Sequence, residues 1–181
     1  AGLMKSQVQT YLDRARIAAQ RNVITANTPV VPVLEKLLRV MKKLSPDISF
    51  ELQKSDYAVA FRGEEQDLEE VLGNLMENAS RFAKARVVID LNGSAEDKSS
   101  PSQFSIAVSD DGPGLSKPDR LRALKRGTRL DESQPGSGLG LSIVSDVVSE
   151  YGGRFELNES QMGGLKAIVF LPKQGNERRT G

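Results

Sequence analysis

The stretch Gln134-Pro-Gly-Ser-Gly-Leu-Gly-Leu-Ser142, "QPGSGLGLS", puts glycine at every second position, 136, 138 and 140. It runs straight into "LSIVSDVVSEYGG" (141–153), whose spacing predicts a helix with a glycine stop. The first turn of a helix leaves backbone N–H groups unpaired at the positive end of its dipole, so a Gly-rich loop opening a helix suits a phosphate. The kind of loop decides the fold. A Walker A loop needs Gly-x4-Gly-Lys-Ser/Thr, and the chain contains no Gly-Lys pair. A Rossmann fingerprint needs Gly-x-Gly-x-x-Gly after a first strand, whereas the spacing here is Gly-x-Gly-x-Gly with no strand leading in.

Working outward, the order of elements points away from a doubly wound parallel sheet. "NTPVVPVLEKLLRVMKKLSP" (27–46) reads as a Pro-started amphipathic helix with a Ser-Pro stop. "ISFEL" (48–52) and "YAVAF" (57–61) read as two strands. "GEEQDLEEVLGNLMENASRFA" (63–83) reads as a long helix with Leu68, Val71, Leu72, Leu75, Ala79 and Phe82 on one side and an acidic first turn. "RVVIDL" (86–91) and "FSIAVSD" (104–110) are strands separated by a polar loop. A Gly/Pro/basic connection over 111–138 has room for one short helix, and "RFELNES" with "LKAIVFLP" closes the chain as a hairpin around Met162-Gly163-Gly164. Pairs of strands between helices predict an α+β fold: a two-layer α/β sandwich with a mixed, mostly antiparallel sheet of about five strands and three helices on one face.

Before this unit, residues 4–21 place Met4, Val8, Tyr11, Ala15 and Ala18 at alternating four- and three-residue spacing, the seam of a coiled coil or bundle helix. One such helix needs a partner. The expected organisation is therefore a helix and linker over 1–22, a globular domain over 23–173 and a flexible tail over 174–181.

Composition narrows the chemistry. The 181 residues are 38% hydrophobic and 27% charged with a net charge of +1, a soluble globular balance with no pull toward nucleic acid. No apolar run reaches the roughly 18–20 residues of a membrane span. Cys and His are both absent, which excludes disulfides, thiolate zinc sites, thiol nucleophiles and Ser-His-Asp triads. Charge is segregated: 64–77 is acidic and 117–129 is basic.

Two further stretches give the glycine loop a context. In "GNLMENASRF" (73–82), Asn74 and Asn78 lie four apart on one helix face, although Asn is a poor helix former. In "VSDDGPGLS" (108–116) a strand ends in Asp110-Asp111 and turns through Gly112-Pro-Gly114. Either stretch alone is compatible with a satisfied buried amide or a plain turn. Together, in this order, "NLMENASRF", "DDGPG" and "GSGLGL" resemble the N, G1 and G2 boxes of the sensor histidine kinases, and "MGGLKAIVFLP" resembles their closing hairpin. The likeness covers about 28–172, and the wording of the boxes looks closest to the PhoQ-type sensor kinases of Gram-negative bacteria. The fold it implies is the Bergerat or GHKL ATP-binding fold shared with gyrase, the heat-shock chaperone and MutL.

The resemblance implies a set of roles. Asp110 would accept the adenine amino group, a contact that disfavours guanine by roughly 1–3 kcal/mol because two acceptors would meet. Gly112, Gly114, Leu115 and Phe82 would line the base. Asn78 would offer its amide oxygen to Mg²⁺, with Asn74 in support. Gly136, Ser137, Gly138, Leu139, Gly140 and Leu141 would cradle phosphate, with Arg81, Arg126, Gly127 and Arg129 in contact with it. Asn74, Asn78, Arg81 and Arg129 would be the catalytic group, and 117–129 would belong to a lid over ATP. The implied activity is transfer of the ATP γ-phosphoryl to a His of a dimerisation domain, then to an Asp of a response-regulator receiver domain. With no His of its own, the chain is expected to be the catalytic part of a longer homodimeric receptor: the cytoplasmic portion of a bacterial inner-membrane protein, itself soluble and monomeric. The other readings are an anti-sigma-factor serine kinase of the same fold and a module that binds nucleotide without catalysis. Four departures from the family stand out: Leu124 where relatives carry Phe, Arg81 where many carry Lys, Gln134 where PhoQ-type chains often carry Arg, and Gly164-Leu165 in place of Gly-Thr.

Overall fold

Every second residue of the two central strands is apolar, and those residues are the ones shielded from water: Val87, Ile89 and Leu91 on one strand, Phe104, Ile106 and Val108 on the next. The computed structural model describes residues 26–55, 58–94, 103–125 and 140–175, together with Gln9 and Leu12. The elements in chain order are β1 (Thr28–Pro29), α1 (Val30–Leu44), β2 (Ser49–Lys54), β3 (Ala60–Phe61), α2 (Glu65–Phe82), β4 (Arg86–Asn92) and β5 (Gln103–Asp110). They continue with α3 (Lys117–Ala123), α4 (Gly140–Glu150), β6 (Arg154–Glu159) and β7 (Leu165–Pro172). The expected helix at 4–21 lies, but for Gln9 and Leu12, outside the described residues.

The main sheet has the order β2-β4-β5-β7-β6. Only β2 and β4 run parallel, joined by the crossover that contains α2; the other three pairings are antiparallel. Register places Ile89 opposite Val108, Ile106 opposite Val169 and Leu157 opposite Ala167, so one face is apolar across all five strands. α1, α2 and α4 bury their apolar stripes on that face. The opposite face carries the exposed pairs Arg86–Glu51 and Arg154–Glu156, which contribute little to stability. This is the two-layer architecture expected from the sequence.

One strand differs from the expectation. Of 58–61 only Ala60–Phe61 is extended; it pairs antiparallel with Thr28–Pro29 in a two-stranded ribbon and meets the main sheet only through a single bridge from Phe61 to Lys173, just past β7. Pro29 has no N–H to donate and the chain enters α1 at Val30, so the ribbon stops after two residue pairs. Its function is packing. Phe61, 1% exposed, stands edge-on to Phe104 and Tyr151, with ring centroids 6.3 and 4.9 Å away. Phe82, expected on the buried side of α2, is only half-buried, while Met76 is fully buried there.

α2 and α4 are tied together at the end away from Gly140. The Tyr151 hydroxyl, just past α4, donates to Asp67 Oδ2 at 2.5 Å and accepts from the Glu64 N–H at 3.3 Å. Burial and the Asp67 carboxylate push the Tyr151 ionisation well above its usual range, so the hydroxyl stays a donor. Tyr151→Phe removes the donor to Asp67 and the acceptor for Glu64 while keeping the ring. The expected loss is about 1–2 kcal/mol of stability, read as a lower urea midpoint with an unchanged slope. An unchanged midpoint would show that the tie contributes nothing.

Candidate functional site

The alternation that fills the core also carries a charge into it. Asp110 follows Phe104, Ile106 and Val108 on the inward face of β5 and is 2% exposed. A carboxylate there needs hydrogen bonds. Asp110 Oδ1 accepts the Gly112 N–H at 2.8 Å and the Leu165 N–H at 3.3 Å. Oδ2 makes no hydrogen bond among the described residues. Burial raises the Asp110 pKa, the two backbone donors oppose that rise, and neighbouring Asp111 adds to it.

Asp111 does different work. It faces the turn between α2 and β4, accepting the N–H groups of Lys84 at 2.8 Å and Ala85 at 3.1 and 3.2 Å. Burial pushes its carboxyl up, but the backbone donors of Ala85, Arg86 and Lys84 outweigh this and hold it below the ordinary range. Of two adjacent carboxylates, one caps a turn and the other is held inside with an oxygen to spare.

Three glycines make room for this arrangement. A Cβ on Gly112 would lie 2.3 Å from the Phe82 carbonyl oxygen, and one on Gly164 would lie 2.1 Å from Asp110 Oδ1. Gly114, at φ +69°, passes beneath the hairpin, where its Cβ would be 3.1 Å from the Gly163 carbonyl oxygen. The hairpin is closed by the Ser160 N–H on the Gly164 carbonyl at 2.8 Å and by Gly163 at φ +94°. The loop after β5, the end of α2 and the start of β7 are therefore interlocked at backbone distance.

α2 connects this end of the site to the other. At its C-terminus the Phe82 carbonyl meets Gly112; two turns earlier Asn74 meets the mouth of α4, its Oδ1 lying 3.2 Å from where a Gly140 Cβ would sit. Asn74 Nδ2 donates to the Glu70 carbonyl at 2.7 Å, so the amide is anchored on its own helix with its oxygen toward Gly140. Asn78 lies between, about one 5.4 Å turn from each. It is half-buried and its amide makes no hydrogen bond among the described residues. Asp110, Gly112, Phe82, Asn78, Asn74 and Gly140 thus follow one another along a single flank of α2.

The other expected residues fall around this line. Arg81 sits at the end of α2 with Nη2 3.6 Å from Glu77 Oε1. Leu115 packs on the core and its carbonyl accepts Arg120 Nη1 at 2.9 Å, while Leu141 packs on the core from the first turn of α4. Ser116 caps α3, accepting the Asp119 N–H and donating to Asp119 Oδ2. Arg126, Gly127, Arg129, Gly136, Ser137, Gly138 and Leu139 lie outside the described residues. The sequence reading missed the part played by Gly164 and the Leu165 N–H. The Gly163-Gly164 pair was a signal of a tight hairpin, but a backbone donor leaves no trace in a sequence.

A family described as "Histidine kinase-, DNA gyrase B-, and HSP90-like ATPase" matches residues 63–175. The chain is similar to the sensor protein kinase CarS of Pseudomonas aeruginosa, 41% identical over 113 residues that make up 62% of this chain and 24% of CarS. It is similar to the two-component sensor PhoQ of the same organism, 32% identical over 163 residues, 89% of this chain and 35% of PhoQ. The chain spans about a third or less of the length of these curated relatives. Among solved structures, a mycobacterial sensor histidine kinase, MprB, superposes with a TM-score of 0.72 at 26% identity, covering 83% of this chain and 99% of that one.

The raised pKa of Asp110 has a consequence for stability. The folded chain holds the Asp110 proton more tightly than the unfolded chain, whose value is the ordinary 3.8. The stabilising contribution is therefore complete below that value and is lost as pH rises through the folded pKa. Asp110→Asn keeps an oxygen for Gly112 and Leu165 but never ionises. Urea titrations should show the variant gaining stability relative to the parent as pH rises above the ordinary carboxylate value of 3.8. A gap that stays flat, or closes toward neutral pH, rules this account out.

Proposed function

We propose, from the premise that this chain belongs to the family of histidine kinase-, DNA gyrase B- and HSP90-like ATPases, that it is the ATP-binding catalytic domain of a two-component sensor histidine kinase. The observation that carries the proposal is Asp110: a carboxylate inside the protein with one oxygen secured by backbone and the other unpartnered among the described residues. Such an oxygen accepts one N–H, as the 6-amino group of adenine presents; a guanine would bring its own carbonyl oxygen to the same place.

The triphosphate would run from that base along α2 toward Asn78 and the first turn of α4, where Gly140 allows close approach and the dipole favours anions. The residues present also fit Mg²⁺. No group of three or more Asp, Glu, His or Cys side chains placed to hold a metal ion occurs among the described residues. Mg²⁺ in phosphate sites takes only one or two protein ligands and relies on phosphate oxygens and water for the rest. The half-buried Asn78 amide, with no hydrogen bond among the described residues, supplies one such neutral oxygen. Bound there, the ion would neutralise phosphate charge.

Asn74 supports transfer over hydrolysis. It occupies the place beside the mouth of α4 where a base could activate water, yet an amide takes no proton, and its Nδ2 is engaged with the Glu70 carbonyl. The γ-phosphoryl therefore needs a nucleophile from outside. The chain has no His; a His on a dimerisation domain, feeding an Asp on a receiver domain, would be the acceptor, with Arg81 and Arg129 in contact with phosphate. Residues 1–22 would be the end of the dimerisation helix, 23–173 the catalytic domain and 174–181 a tail, within a homodimeric inner-membrane receptor whose catalytic part faces the cytoplasm. No helix among the described residues is long and apolar enough to cross a membrane.

Calorimetric titration should show ATP binding at least about tenfold tighter than GTP. Asn78→Ala should lose most of the Mg²⁺-dependent part of the affinity and keep the Mg²⁺-independent part. Labelled ATP incubated with the chain and a His-bearing helical hairpin should give an acid-labile phosphoprotein. An acid-stable product would point instead to a serine kinase of the same fold, and no binding of any nucleotide would end the proposal.

A further inference from the structure

The Asp110 carboxylate is held asymmetrically, and the asymmetry has chemical content. Oδ1 sits against two backbone N–H donors from different segments, Gly112 in the loop after β5 and Leu165 at the start of β7. Both donors are fixed: Leu165 is 7% exposed with its side chain in the core, and Gly112 is wedged against the Phe82 carbonyl. The seat for Oδ1 exists because residue 164 has no side chain; its Cβ would fall 2.1 Å from that oxygen. Oδ2 has no such partner among the described residues.

A side chain at 110 must therefore put an acceptor into the seat. An N–H there would face two N–H groups at hydrogen-bond distance, an arrangement with no attractive contact and the desolvation cost of three buried donors. An asparagine amide normally has two orientations of similar shape, chosen by its surroundings. Here only one is open to it, oxygen in the seat and NH₂ toward the ligand.

We propose that Gly164 and the Leu165 N–H, with the Gly112 N–H, are positioning elements that make residue 110 a one-atom selector of purine class: Asp presents a lone acceptor and reads a 6-aminopurine, whereas Asn presents a donor and reads a 6-oxopurine. The proposal rests on the nucleotide-site reading above and adds to it which oxygen reads the base, what fixes it, and what a single change does to the preference. It also accounts for the use of one oxygen only. A carboxylate with both oxygens free can grip the paired N–H groups of guanine, and the seat forbids that geometry.

The test is titration of the parent chain, Asp110→Asn and Asp110→Ala with ATP, ITP and GTP, with thermal unfolding of each apo protein as the control for folding. The parent should prefer ATP to ITP. In Asp110→Asn, ATP affinity should fall by about tenfold or more, and ITP should bind about tenfold tighter than to Asp110→Ala, reversing the order of the two nucleotides. GTP should follow ITP in direction, since it shares the 6-oxo group. Asp110→Ala, with nothing in the seat and nothing facing the ligand, should lose ATP without gaining ITP. If Asp110→Asn folds and binds ITP no better than Asp110→Ala does, the seat does not orient the side chain and the inference is wrong. If Asp110→Asn fails to fold while Asp110→Ala folds, the two donors do not accept an amide oxygen and it is equally wrong. A parent chain that binds none of the three nucleotides overturns the underlying site reading instead.

Discussion

One buried carboxylate organises this molecule. Asp110 lies where β5, the loop after it, the end of α2 and the start of β7 converge, and each of those segments is shaped to admit it. Two backbone amides solvate one oxygen, and glycines at 112 and 164 give up the volume that side chains would occupy. Uncompensated, an ion at 2% exposure would be intolerable. Its desolvation is only partly offset, as the upward shift of its pKa indicates. On the proposed function the retained charge would serve recognition, a trade in which a site stores desolvation that packing elsewhere offsets.

α2 lets the rest of the site share this anchor. Its buried stripe of Leu68, Val71, Leu72, Leu75, Met76 and Ala79 fixes the helix on the sheet in rotation as well as position. Once that rotation is set, Asn74, Asn78 and the Phe82 carbonyl have no freedom over where they lie. The Tyr151–Asp67 tie restrains the facing end of α4, so the mouth at Gly140 is located by packing at one end and by a hydrogen bond at the other. The candidate site is held on elements whose positions the core already determines, the arrangement that precise positioning requires.

The sequence foretold the layers because they depend on periodicity. β4, β5 and β7 show alternation strong enough to place their boundaries within a residue or two, and α2 shows a full apolar stripe with an acidic first turn. The 57–61 segment misled for the same reason. "YAVAF" alternates well, but its partner was decided by Thr28–Pro29 far away in sequence, and local pattern says nothing about partners. In the site, Asp110 and the Asn pair were legible as side chains out of place: a charge ending an apolar strand and amides on a packed helix. The resemblance singled out Asp110 over Asp111, but the backbone donors that give the two carboxylates different work were not legible. The Leu165 N–H was invisible, because every non-proline residue has one.

The departure of Leu165 from the family's usual Thr fits this picture. A hydroxyl beside the proposed base site would offer a second polar partner able to rotate between donating and accepting. Leu165 contributes only its backbone N–H, and its side chain is in the core. Polarity at this end of the site then rests on the one Asp110 oxygen that the described residues leave without a partner, Oδ2. A site with fewer adaptable groups discriminates more sharply, because a mismatched ligand finds no hydroxyl ready to turn and repair the contact. On the proposed function, the apolar residue that departs from the family pattern would tie base selection more tightly to the glycine-lined seat of a single carboxylate.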